Sequence, residues 1–110
     1  MVIPASYRNF KLSLENTTPP SDWPIALKSL WFAGKGDWEA SHNIAQDMHS
    51  DLGSWIHAFL HRHEGDEFNA RYWYRRAGKS FPEISLDEEH QEITEYVLSY
   101  RNLKFIKNLF

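Results

Sequence analysis

The sequence predicts an all-α domain, and three observations support that expectation. Apolar residues recur at the three- to four-residue spacing of helices over most of the chain beyond residue 21. Gly-Asp pairs interrupt this periodicity at Gly36-Asp37 and Gly65-Asp66, each joining a helix stop to a helix cap. Ser85-Leu-Asp-Glu88 has the S-x-x-E form of a capping box. At 110 residues the chain has the length of one domain, and its 7 Phe, 5 Trp and 5 Tyr suffice for an aromatic-rich core.

Residues 1–21 are expected as an extended N-terminal arm, and residues 22–110 as a single helical domain. Phe10, Leu12 and Leu14 alternate with polar residues as in a short strand, and Pro19-Pro20 halt regular structure. The arm would pack on the domain or pair with a second copy. About five helices follow. The first is capped by Ser21 or Asp22, tolerates Pro24 in its first turn, and carries Ile25, Leu27, Leu30, Trp31 and Phe32 as far as Gly34. The second runs from Trp38 to about Met48 behind Asp37. The third, from about Ser54 to Glu64, buries Trp55, Ile56, Phe59, Leu60 and His63. The fourth starts at Asp66 and ends before Gly78. The last begins at the capping box and turns Ile93, Tyr96, Val97, Tyr100 and Leu103 inward, with Asp87, Glu88, Glu89 and Glu92 at its start and Arg101, Lys104 and Lys107 at its end. Two helical hairpins closed by this long C-terminal helix are the expected architecture.

The segment GDEFNARYWYRRAGKSFP, residues 65–82, sets Ala70, Tyr74 and Ala77 on one helical face ahead of Pro82. It resembles the second helix of a tetratricopeptide repeat, and the likeness extends over roughly residues 51–84. The chain has room for two such hairpins and a capping helix, which implies a closed unit and not a solenoid. The stretch WIHAFLHRHEGDEFNARYWYRRAG, with GDWEASHNIAQ upstream, also resembles a family of short bacterial helical proteins. These share a WxHAxLHRxEGDxxNAxYWYRRAG-like signature. The resemblance implies a bacterial cytoplasmic protein and brings no activity, cofactor or partner with it.

Composition excludes several function classes. With no cysteine there is no disulfide framework and no cysteine zinc site. A formal charge of −3 gives no general attraction to nucleic acid or acidic lipid. No apolar run approaches the ~20 residues that span a bilayer, and no basic-then-apolar signal segment opens the chain, so a cytoplasmic location is expected. Phosphate-loop, dinucleotide-fingerprint and G-x-S-x-G motifs are absent. No cofactor is expected.

The chemistry-bearing residues fall on two helices. His57 and His61 stand at i and i+4, with Glu64 one turn further, Asp66 just past the helix end, and His42 across the bundle. Imidazoles in this pattern hydrogen-bond to carboxylates in helix packing, or hold a metal ion: His57 and His61 with Glu64, or with Asp66 or His42 as third ligand. Ala58 occupies the place where H-E-x-x-H carries its glutamate, so the metalloprotease motif is not complete. On the fourth helix Arg71, Arg75 and Lys79 form a basic stripe beside Tyr72 and Trp73, expected to meet the acidic residues of the last helix.

The leading functional expectation is a small helical interaction module. It would bind a protein segment or a small polar or anionic ligand through a groove of His57, His61, Asn69, Tyr72 and Arg75. The alternative is a metal-dependent or histidine-using enzyme centred on His57 and His61. A homodimer through exposed Phe10, Phe105 or Phe110 is the third reading. Neither membrane nor nucleic acid is an expected partner.

Overall fold

The structure, a computed structural model, describes residues 3–100. Among these, six helices and a single 3-10 turn account for the regular structure: α1 (Tyr7–Leu12), the turn Ser13–Glu15, α2 (Ile25–Gly34), α3 (Trp38–Gln46), α4 (Asp51–His63), α5 (Glu67–Ala77) and α6 (Leu86–Leu98). The all-α expectation holds, with one helix more than the five foreseen.

That extra helix corrects the arm. Ser6 caps α1 by accepting the Asn9 amide, and the apolar contacts run Tyr7, Phe10, Leu14, at intervals of three and four. The apparent alternation of Phe10, Leu12 and Leu14 had the wrong period, because Leu12 is 61% exposed while Phe10 is fully buried. The segment packs on the domain through Phe10, which lies against Trp23 and His90.

The first turn of α2 also differs. No side-chain cap is present: Pro24 is itself the N-cap, with ψ 144°, and its carbonyl accepts the Lys28 amide. Proline disfavours the helical conformation for the residue before it, so Trp23 cannot extend the helix toward Ser21 or Asp22. At Asp37, Asp66 and Ser85 the expected caps form, and the Ser85–Glu88 capping box is reciprocal. Gly36 and Gly65 have φ of 84° and 87°, the left-handed geometry that lets the chain reverse within three residues.

α2 pairs with α3 and α4 with α5. In the first pair two small residues allow close approach: Ser29 Oγ donates to the Ser41 carbonyl at 2.9 Å and Ser41 Oγ to the Ser29 carbonyl at 2.7 Å. α4 is the central helix, packed by α2, α3, α5 and α6, and every residue from Leu52 to Leu60 is buried. His63, expected inward, lies past this covered stretch and is exposed. Tyr96 is likewise 44% exposed, whereas Ile93 and Val97 are buried as expected. The basic end of the last helix, Leu103, Phe105 and Phe110 lie outside the described residues. Among the described residues no helix is long and apolar enough to cross a membrane.

Candidate functional site

His57 lies beside the Trp55/Phe59/Leu60 stripe of α4, where a single-faced helix would leave it accessible. Because α4 is covered on all sides, His57 is only 6% exposed. Its ring stacks on Trp73 of α5, with centroids 3.9 Å apart and planes 12° from parallel. From α3, His42 reaches across so that its Nε2 lies 2.8 Å from His57 Nε2. Trp38, one turn before His42, stacks on its outer face at 4.6 Å. His61 completes the group, its ring 4.9 Å from that of His57 and 5.4 Å from that of His42. One ligand nitrogen from each of the three rings lies within 4.8 Å of the others.

The protonation of this cluster follows from its surroundings. Burial lowers the His57 pKa to about 4, aided by the neighbouring His42 and His61, and burial followed by His61 lowers that of His42. Both rings are therefore neutral near pH 7, and their facing nitrogens share one proton, one Nε2 donating and the other accepting. His61 Nδ1 lies 2.9 Å from Glu64 Oε2 and 4.0 Å from Asp66 Oδ2. A carboxylate can only accept there, so Nδ1 carries a proton, and Nε2 is the nitrogen that remains for a further partner. Asp66 is already occupied as a cap: Asn69 donates to it through its backbone amide at 3.2 Å and its side-chain amide at 2.6 Å. These bonds hold the Asp66 carboxyl below its ordinary pKa.

Of the residues expected to line one groove, His57 and His61 come together, and Asn69 reaches them only through Asp66. Tyr72 and Arg75 lie on the exposed side of α5. Glu64, expected as a third metal ligand beside His57 and His61, instead bonds Nδ1 of His61, and it is His42 that groups with His57 and His61.

A second polar centre was not foreseen. Glu89, read in the sequence as one of several acids at a helix start, is 1% exposed. Its carboxylate accepts from Tyr74 Oη at 2.8 and 2.7 Å, Trp55 Nε1 at 3.2 Å and Arg62 Nη1 at 2.7 Å. Arg62 also donates to the Ile84 carbonyl. Among the described residues the charge pairing between helices thus joins α4 to α6, not α5 to α6. Arg71 pairs with Glu67 on its own helix.

The outward face of α5 carries Phe68, 83% exposed, and Tyr72 one turn later, followed by Arg75 and Arg76. The Tyr72 ring meets Trp73 edge-on at 5.2 Å, and the Arg76 guanidinium lies over both rings. Trp73 and Arg76 continue into a groove of about 440 Å³ that His49, Asp51 and Ser54 help to line. A second groove, of about 480 Å³, runs between Tyr7, Lys11, His63 and Asp87. Neither is lined by His42, His57 or His61.

Comparisons with family models, curated proteins and solved structures find no match to this chain.

Proposed function

We propose that this protein is a small helical interaction module that binds an acidic protein segment or small anionic ligand through the outer face of α5 and its adjoining groove. The observation that supports this reading is the continuous surface of Phe68, Tyr72, Trp73, Arg75 and Arg76. Aromatic rings and arginine are the side chains enriched at binding hot spots, since they bring large contact area and directional donors together. The closely packed pair of α4 and α5 holds that surface, and the sequence resemblance of residues 51–84 to a tetratricopeptide hairpin is in keeping with a peptide-binding role. The binding surface of this reading is displaced outward from the one the sequence suggested: Tyr72 and Arg75 stay, and Phe68, Trp73 and Arg76 take the place of His57, His61 and Asn69.

The test is comparison of the parent with a Phe68→Asp/Arg75→Glu variant in affinity capture from cells that make the protein. Both positions are exposed, so the variant should keep its melting temperature. A partner or ligand held by the parent and lost by the variant supports the proposal. Equal recovery by both contradicts it.

A further inference from the structure

We infer that His42, His57 and His61 form a binding site for one divalent transition-metal ion, held by three neutral imidazole nitrogens between α3 and α4. The site does not rest on ligand binding at the α5 surface, although Trp73 belongs to both, and the arrangement of donors supports it in four respects.

The first is convergence. Chance placement of histidines at i and i+4 brings two rings together, but the third comes from another helix, and all three aim ligand nitrogens at one region within 4.8 Å. A tetrahedral ion with metal–nitrogen bonds of about 2.0–2.1 Å holds its ligand atoms about 3.3 Å apart. The His42–His57 separation of 2.8 Å needs to open slightly, and any wider separation, none above 4.8 Å, needs to close by no more than about 1.5 Å, within the reach of side-chain rotation.

The second is donor chemistry. The proton shared between the His42 and His57 Nε2 atoms marks two lone-pair positions facing a common point. If that proton moves to Nδ1 of its own ring, both Nε2 atoms are free to ligate with no net proton released. His61 offers Nε2 because its Nδ1 proton is held by Glu64, the outer-carboxylate arrangement that orients a ligating imidazole and raises its basicity. All-imidazole sets suit zinc, nickel, cobalt and copper, while magnesium and calcium demand oxygen ligands.

The third is preorganisation. The Trp38 indole fixes the His42 ring and the Trp73 indole fixes the His57 ring, each by near-parallel stacking. Two of the three ligands are held in place before any ion arrives.

The fourth is charge. A dication among neutral ligands in a half-buried site needs nearby negative charge. Glu64 and Asp66, 2.9 and 4.0 Å from His61 Nδ1, supply two carboxylates on the solvent side of the cluster. With three protein ligands the fourth coordination position is left to solvent.

The experiment is titration of untagged, chelator-treated full-length protein with zinc and with cobalt(II), read by calorimetry, melting temperature and the visible spectrum of the cobalt form. The expected result is one equivalent bound, a raised melting temperature and a tetrahedral cobalt spectrum. His42→Ala and His61→Ala, checked for fold by circular dichroism, should lose the binding, while His49→Ala and His63→Ala should keep it. Glu64→Gln should weaken binding about 10- to 100-fold without abolishing it. No binding by the parent overturns the site, as does binding that survives both His42→Ala and His61→Ala or disappears with His49→Ala. If either cluster variant fails to fold, X-ray absorption on the parent zinc form decides. Three imidazole ligands support the assignment, and fewer than three overturn it.

Discussion

Glu89 and His57 are the two side chains whose roles depend most on burial. Removing the Glu89 carboxylate takes the acceptor from Arg62 Nη1, Tyr74 Oη and Trp55 Nε1, and leaves Arg62 only its bond to the Ile84 carbonyl. Glu89→Ala is therefore expected to cost about 3–5 kcal/mol, measured by urea denaturation, because the uncompensated charge of Arg62 dominates the loss. Tyr74→Phe removes one donor and leaves the carboxylate with two others, so a smaller loss of about 1 kcal/mol is expected. The sequence contained Glu89 but gave it the role of its neighbours, Asp87 and Glu88, which do remain exposed at the helix start. What set it apart was facing Arg62, 27 residues away, and no local pattern encodes that pairing. His57 was legible as a chemical group but not as a buried one. His57→Ala is expected to lower stability by about 2–3 kcal/mol, through the lost Trp73 stack and the unpaired His42, with the same denaturation as readout.

At the level of elements, α1 is tied to α6 by a polar latch. His90 Nε2 donates to the Leu30 carbonyl at 2.9 Å, so its Nδ1 accepts from the Tyr7 hydroxyl at 2.8 Å. That pattern requires neutral imidazole, and burial lowers the His90 pKa. In the unfolded chain the group titrates near its ordinary value of about 6.5, so below that pH the unfolded state binds the proton and the folded state resists it. Stability contributed by the latch is complete above about pH 6.5 and declines as the pH falls toward the folded-state value. Melting temperatures from pH 8 to pH 5 should therefore decline, and less steeply in His90→Phe, which keeps the ring and loses the titration. An equal slope in both proteins would remove His90 from the account. Caps at Asp37, Asp66 and Ser85 were legible because each is a local contract between a side chain and an amide three residues on. The latch was not, since Tyr7 and His90 are 83 residues apart. Gly53 illustrates the same distinction. The sequence places it just ahead of a helix starting near Ser54, yet it lies inside α4, where a Cβ would sit 2.5 Å from the Met48 carbonyl oxygen. Gly53→Ala is expected to destabilise by about 1–3 kcal/mol through that overlap.

For the whole molecule, the decisive feature is that α4 is enclosed by four other helices. Periodicity identified one buried stripe on it, and tertiary packing buried the opposite side as well. This turned the proposed histidine groove into a partly buried cluster centred on His57 and left the outer α5 surface as the more accessible part. His42 could be matched to His57 and His61 only by knowing which side of α4 the α2–α3 pair covers. The central functional claim is that the outer face of α5 is where this protein meets its ligand. The most direct measurement places a photoreactive phenylalanine analogue at position 68, and in a parallel chain at Glu92 on exposed α6, and compares crosslinks formed in the cells that make the protein. The account predicts a discrete adduct from position 68 that is lost on adding Arg75→Glu and Arg76→Glu, and none from position 92. Absence of any adduct at 68, or the same adducts from both positions, would contradict it.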